Sequence, residues 1–380
     1  MLDLSRVLAG PMAAMMLGDL GAHVIKVERP GQGDDTRGWG PPFTRDGQAA
    51  YFVSANRNKL SVAADLADPD HLGLVLRLIA DADIVLDNFL PGVLARKKID
   101  ADALLAQFPQ LVWCTISGFG ADSHRPGYDF VVQAESGWMA ITGEPAGAPM
   151  RVGVALADVI AGKDVVISAL AALVARDRAA AAGRPLSADA RRRHVALSAS
   201  ALAALVNVAQ NALVTGEDAI RWGNAHPNLV PYQLFPAMDQ PVVIAVGSDA
   251  QWQAVAQALD LTALAADPAL ATNAGRLAQR SRVVTAITHA VANLPAAVCV
   301  DQLQRVGVPC GVVRSVRDAL RDALREPAVL PALAEATGMP SSVQGRVRYK
   351  PPALDEHGAL IRTYHWSAFD HVPILTESGL

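Results

Sequence analysis

The first half of the chain alternates short β-branched or apolar runs, at 23–27, 84–87 and 111–116, with amphipathic segments of helical period at 70–80 and 101–108. A strand that leads through a helix into another strand crosses over the sheet, and such crossovers leave neighbouring strands parallel and the connection right-handed. The expected fold is therefore α/β with a mainly parallel sheet. Its ligand site belongs beyond the carboxyl ends of the strands, where this chain concentrates its loops.

Further on, 155–176 predicts a long apolar helix buried on most sides and central to the core. The stretch 179–193 carries Gly183-Arg184-Pro185 and ends in Arg191, Arg192 and Arg193, which reads as a solvated loop before a strand at 194–198 and one helix over 199–214. Trp, Gly, Asn, His and two prolines cluster at 221–231, the signature of a linker. After it come strands at 242–246 and 310–313 and helices at 250–258 and 276–292, a smaller α/β domain. The expected division is a large domain over 1–220, a small one over 221–325 and a segment over 326–380 that returns to the first. No solenoid repeat is visible.

A formal net charge of -4 with scattered basic residues offers no nucleic-acid surface. Three cysteines, Cys114, Cys299 and Cys310, have neither CxxC nor His-pair spacing, so neither a disulfide framework nor a zinc site is expected, and a reducing cytoplasm fits. No signal peptide and no bilayer-length apolar run is present, which predicts an untargeted protein that does not contact a membrane. The chain starts abruptly at Met1, so a short first strand is expected, with native residues missing or the start assigned late.

Several loops carry candidate chemistry. Gly31-x-Gly33-Asp34-Asp35-x-Arg37-Gly38 follows a strand but lacks the spacing of a dinucleotide fingerprint; it is either a polar loop or a place where backbone approaches a ligand while Arg29 and Arg37 meet phosphates. Asn88-Phe89-x-Pro91-Gly92 leaves a strand at the binding edge, with Arg96-Lys97-Lys98 close behind, and suits an adenine or pantetheine arm as well as a solvated helix end. Asp158, in Gly153-Val154-Ala155-Leu156-Ala157-Asp158, is a charge among small aliphatic residues at a helix start. Capping explains it, and so does catalysis, because a helix N-terminus favours a carboxylate and an oxyanion forming beside it. Pro126-Gly127-Tyr128-Asp129 opens a helix over 130–142, with Tyr128 and Gln133 as polar contacts to a substrate and Asp129 as a cap. His226 has no partner acid in its neighbourhood. The chain contains no Gly-x-Ser-x-Gly, Walker or HExxH pattern, which removes serine hydrolases, phosphate-loop enzymes and zincins.

Taken in order, Leu4-Ser5-Arg6-Val7-Leu8-Ala9-Gly10-Pro11, Leu20-Gly21-Ala22-His23-Val24-Ile25-Lys26-Val27-Glu28-Arg29-Pro30, Gly33-Asp34-Asp35-Thr36-Arg37, Asn56-Arg57-Asn58-Lys59, Asp87-Asn88-Phe89, Ser117-Gly118-Phe119-Gly120, Gly127-Tyr128-Asp129 and Ala157-Asp158 resemble the class III coenzyme A transferases across nearly the whole chain. The family includes formyl-CoA, carnitine and bile-acid CoA transferases and, as relatives, α-methylacyl-CoA racemases. The resemblance implies that Asp158 is the nucleophile that becomes an aspartyl-CoA thioester, and that coenzyme A is a substrate, with no permanently bound cofactor and no metal. It also implies that Leu8, Ala9, Arg29, Lys59, Asn88, Phe89 and Arg96 line the coenzyme site and that Tyr128 faces the thioester. The large domain would be Rossmann-like, and two chains would interlock as an obligate homodimer.

Two rivals remain at this point. A racemase needs an acid/base pair across the α-carbon, and the family's racemases carry His where this chain has Tyr128. A non-catalytic acyl-CoA-binding protein would have no need of Asp158. An NAD-dependent dehydrogenase lacks support, since Ala9-Gly10-Pro11 is not the glycine fingerprint. The formyl-CoA type carries a glycine-rich loop that 224–228 does not reproduce, which argues against oxalate. A dicarboxylic acid such as succinate or glutarate is the acceptor that the breadth of the family suggests.

Overall fold

A computed structural model describes residues 1–323, 331–339 and 342–375. The expected boundary between 325 and 326 lies outside them. The described residues form two compact units, one from Met1–Trp138, Arg151–Glu217 and the tail, the other from Met139–Met150 and Asp218–Ala323.

The first unit is built on six parallel strands: β1 (Leu2–Asp3), β2 (Val24–Glu28), β3 (Lys59–Ala63), β4 (Ile84–Asp87), β5 (Val112–Ser117) and β6 (Arg192–Ala196). Their order, β3-β2-β1-β4-β5-β6, is that of a doubly wound sheet. Connections from β1 and β4 leave in opposite directions, so a crevice opens beyond their carboxyl ends. The helices that matter below are α1 (Ala9–Asp19), α2 (Pro69–Ala80), α3 (Asp129–Glu135), α4 (Leu156–Ala181), α5 (Leu197–Ala203) and α6 (Asn207–Thr215).

Local sequence explains these helices. Asp68 accepts hydrogen bonds from the Asp70 and His71 amides ahead of Pro69, so α2 starts where its first orphan donors are satisfied. Its buried stripe of Leu74, Val75, Leu78 and Ile79 packs on one face of the sheet together with Ile361 and Phe369 of the tail. The opposite face is covered by Ala13 and Leu17 of α1 and by Ala161, Val165 and Ala169 of α4. Each fully buried Leu, Ile or Val adds about 1.5–3 kcal/mol, whereas the alanines chiefly let α1 and α4 approach closely.

Several elements differ from their sequence patterns. Strand β3 is not among the expected strands, although Lys59 and Ser61 alternate with Leu60 and Val62 as in a strand with one face in water; both polar side chains are wholly buried and paired. The helix over 199–214 is two, α5 and α6, bent by 76° where Val206 takes a φ of 42°. The helix over 130–142 stops at Glu135, before Gly137 at a φ of 87°. Helix α4 runs on to Ala181 and is not buried on most sides, since Ile167, Leu170 and Val174 are exposed. The arginine run is not a solvated loop: Arg191 is buried and donates to the Leu105, Phe108, Leu111 and Leu186 carbonyls, while Arg192 and Arg193 begin β6. A guanidinium can end a helix and a turn at once, which residue type alone does not announce.

The tail is tied in by the polar motif at 56–59. Asn58 Oδ1 accepts from the Arg348 and Tyr349 amides and its Nδ2 donates to Asp19 and the Arg346 carbonyl. Arg57 forks onto Asp19 and donates to the Thr337 and Met339 carbonyls.

The second unit is an antiparallel sheet, β7 (Tyr232–Pro236), β8 (Pro241–Ala245) and β9 (Cys310–Val312), around a core of Phe235, Ile244, Trp252, Ile287 and Leu303. Strand β7 and the helix Ala296–Arg305 had no counterpart in the expected pattern. Among the described residues no single helix is long and apolar enough to cross a membrane.

A candidate active site at the carboxyl edge of the sheet

The crevice between β1 and β4 is fastened by side chains from the strand ends. Asn88 bridges the two loops, accepting from the Arg6 amide at 3.0 Å and donating to the Arg6 carbonyl at 2.7 Å. Asp87 holds the Phe89 amide at 3.0 Å while Trp113 and Thr115 donate to its other oxygen, and burial raises its pKa. Asp34 accepts from the Val7 and Thr36 amides and pairs with Lys26 at 3.0 Å, so the loop after β2 is locked to the loop after β1.

A cleft of about 270 Å³ opens here, lined by Leu8, Ala9, Asn88, Phe89, Tyr128 and Asp158 among others. Six expected site residues thus meet in one place. A neighbouring cleft of about 400 Å³ is lined by Leu4, Val27, Arg29, Gly33, Leu94 and Lys97. Arg6 and Phe89 line both, the guanidinium lying 5.3 Å from the ring centroid and 3.6 Å from Asp35, which also pairs with Arg29. Arg96 lines a third groove, of about 370 Å³, with Lys97, Lys98 and Leu72.

Lys59 lines none of these. It is fully buried beneath α1, its ammonium donating to Asp3, Asn56 and the Pro11 carbonyl at 2.8–2.9 Å, and burial pulls its pKa down to about 8. Asp3 receives Lys59, Lys26 and both the amide and hydroxyl of Ser5; burial works against its charge, but the two lysines hold its pKa below the ordinary carboxylate value. The network therefore ties β1, β2 and β3 to the first turn of α1.

Asp158 occupies the first turn of α4. No hydrogen bond to its carboxylate occurs among the described residues, so it does not cap its own helix. Capping comes from across the site: Asp129 Oδ1 accepts from the Ala157 amide at 2.8 Å, and its Oδ2 accepts from Gln133 Nε2 at 2.7 Å. The Asp158 pKa is pushed up to about 7, by burial first and then by the charge of Asp129. Tyr51, from the short helix Ala50–Val53, senses the same carboxylates: burial raises its pKa, and the charges of Asp158, Asp129 and Asp34 add to it. Nothing in Ala50-Tyr51-Phe52-Val53 marks that tyrosine in the sequence.

Gln133 does not face a substrate. It is wholly buried, so the expectation that it contacts one is corrected. The cleft wall between Ser117 and Tyr128 depends on two glycines: a Cβ on Gly127 would stand 2.1 Å from the Gly118 Cα, and a Cβ on Gly118 would stand 2.4 Å from the Gly127 Cα. Only a pair of glycines lets these backbones touch and brings Tyr128 to the cleft. Among the described residues no group of three or more His, Cys, Asp or Glu is placed to hold a metal ion.

Residues 1–358 match the model of CoA-transferase family III. A succinate–glutarate CoA-transferase of Agrobacterium fabrum is 40% identical over 325 residues, covering 83% of this chain and 79% of its own. A succinyl-CoA:glutarate CoA-transferase of Mus musculus is 40% identical over 320 residues, covering 83% of this chain and 71% of its own. A CAIB/BAIF family protein from Brucella suis, known as a crystal structure, is 37% identical and superposes with a TM-score of 0.79 over 95% of this chain and 96% of its own.

Proposed function

We propose, for a chain that belongs to CoA-transferase family III, that it moves coenzyme A from a dicarboxylyl-CoA such as succinyl-CoA to a second carboxylic acid through a thioester on Asp158. That the chain is an enzyme of the CoA-transferase class follows from the family and from its named relatives. The observation that carries the finer reading is Asp158 itself: a carboxylate with no hydrogen-bond partner among the described residues, at a helix start, in a cleft with Tyr128.

The chemistry needs nothing beyond these groups and the two substrates. One Asp158 oxygen attacks the acyl-CoA carbonyl, the C–S bond breaks, and a mixed anhydride and CoA thiolate result. The thiolate attacks the Asp158 carbonyl carbon, expelling the first acid as its carboxylate and leaving aspartyl-CoA. The incoming carboxylate attacks that thioester, and the released thiolate then attacks the acceptor's acyl carbon, freeing Asp158. No proton is gained or lost over the cycle, and each oxyanion forms beside the N-terminal end of α4, whose dipole favours it.

Coenzyme A is assigned to the adjoining cleft, with Arg29 and Lys97 toward its phosphates, Leu4, Val27 and Leu94 around its apolar part, and Arg96 at the outer groove. Leu8, Ala9, Asn88 and Phe89 then carry the pantetheine arm toward Asp158 and Tyr128. The preference for a dicarboxylic acid rests on the two relatives named for succinate and glutarate.

Brief incubation with succinyl-CoA followed by hydroxylamine should convert Asp158 to its hydroxamate, located by peptide mass spectrometry, with CoA thiol released in equal amount. Absence of any Asp158 adduct across a panel of acyl-CoAs, together with α-proton exchange from deuterated water, would replace this reading by the racemase.

The functional unit is proposed to be an interlocked homodimer. Helix α6 has no buried residue, with Leu213 and Val214 exposed, and the outward face of α4 carries Ile167, Leu170 and Val174. Such apolar area is costly in water. Light scattering should give close to twice 39.9 kDa; a monomer at micromolar concentration would sink the proposal.

A further inference from the structure

The nucleophile's helix is held by a residue that touches no substrate. Val152, Gly153 and Val154 lead into α4, and Gln133 fastens that approach at both ends: its Oε1 accepts from the Val152 amide at 2.8 Å and its Nε2 donates to the Val154 carbonyl at 3.2 Å. The same Nε2 donates to Asp129 Oδ2 at 2.7 Å, and Asp129 Oδ1 receives the Ala157 amide at 2.8 Å. One amide therefore joins α3, the approach loop and the first turn of α4. Gln133 is inaccessible to solvent and Asp129 is 6% exposed, so neither can exchange these partners for water without loss.

We propose that Gln133 is a positioning residue for the transfer reaction, which aims Asp129 at the Ala157 amide and so fixes where the Asp158 carboxylate begins its attack. The inference rests on the assignment of Asp158 as nucleophile. A glutamine suits this place because one planar amide supplies an acceptor for Val152 and donors for Val154 and Asp129. Glutamate would keep the acceptor and present oxygen to Asp129, and leucine would satisfy none of the three.

The ionisable groups around the Asp158 cleft are Asp129, Tyr51, Tyr128, Arg6 and Asp35. Asp129 is the one among them whose charge raises Asp158, and Gln133 sets its orientation. Two substitutions should therefore move the acid limb of kcat/KM in opposite directions. Gln133→Glu adds negative charge beside Asp129 and should shift the limb to higher pH. Asp129→Asn removes the charge and should shift it to lower pH, toward the ordinary carboxylate range.

The test uses the full chain with succinyl-CoA and glutarate. For Gln133→Glu, kcat should fall about 10- to 100-fold with KM for succinyl-CoA changed less than threefold, since a misplaced reacting atom costs rate more than binding. Loss of fold stability alone cannot produce limb shifts of opposite sign in the two variants. Equal kcat, or unmoved limbs in both variants, would overturn the inference. If Gln133→Glu does not fold, the Asp129→Asn limb and a shortened Gln133→Asn, expected to lower kcat without moving KM, decide alone. Hydroxylamine trapping separates the two levels of argument. A wild type that never labels at Asp158 refutes the nucleophile; a wild type and Gln133→Glu that label at the same rate refute only the role of Gln133.

Discussion

Replacing Asp158 by asparagine or alanine should reduce transfer by at least ~10³-fold while leaving the protein folded and more stable than the wild type. The loss of rate follows from removing the group that forms both the anhydride and the thioester, for which no other carboxylate in the cleft stands in. Asp35 also lines the cleft, but it is committed to Arg29 and Arg6. The gain in stability follows from the raised pKa. Burial and the charge of Asp129 raise the Asp158 pKa to about 7 in the folded chain, against 3.8 when it is unfolded. Ionisation therefore disfavours the folded state: the penalty is absent below pH 3.8, grows between 3.8 and about 7, and is complete above. An amide avoids it, so the Asp158→Asn gain should be on the order of 2–4 kcal/mol above pH 7 and vanish near pH 4. Urea titrations at pH 4.5 and 8 compare the two conditions. In the wild type the same titration should make kcat/KM for the acyl-CoA fall about tenfold per pH unit well below 7, because only the carboxylate attacks. A flat rate profile from pH 5 to 8 would contradict the role of Asp158. Since asparagine can deamidate to aspartate, Asp158→Ala serves as the control for residual activity.

Lys59→Met should cost about 3–5 kcal/mol of stability, the range expected when one partner of a buried ion pair is removed and the other is left behind. The side chain left behind is Asp3, wholly buried at the end of β1, with Lys26 at 3.9 Å and Ser5 as its remaining partners. Chemical denaturation reads the loss directly. The double substitution Asp3→Asn with Lys59→Met should cost less than the sum of the two singles, since the two buried charges then disappear together. If Lys59 met a phosphate of coenzyme A instead, the single substitution would leave stability near wild type and raise KM for the acyl-CoA, and the double would show no coupling.

These two residues show what a sequence can and cannot disclose. The parallel sheet is legible because β-branched runs and amphipathic helices alternate as crossovers require, its Rossmann-like winding only through the family resemblance, and Asn88 and Phe89 are legible because they follow a strand directly. Asp158 stands out as a charge in an aliphatic context. Lys59 and Arg191 are misleading for one reason: a cation's burial depends on partners distant in the chain, Asp3 and Pro11 for one and the carbonyls of 105, 108 and 111 among those for the other. The polar face of strand β3 has the same origin, since Lys59 and Ser61 are paired inside with Asp3 and Glu28. Gln133 is the clearest case, because two of its three hydrogen bonds, to Val152 and Val154, reach a loop 19 to 21 residues away, while the third stays on its own helix at Asp129.

The stapling of the tail by Arg57 and Asn58 has a consequence for how the protein is made. The partners of Asn58 at Arg348 lie 290 residues downstream, and those of Arg57 at Thr337 lie 280 downstream. At ribosomal rates of about 5–20 residues per second, a nascent chain holds these groups unsatisfied for roughly 15–60 s after they emerge. Through that interval the sheet lacks the apolar cover of Ile361 and Phe369. The N-terminal half is thus synthesised as an open book whose last page closes it, and its demand for chaperones should peak late in translation.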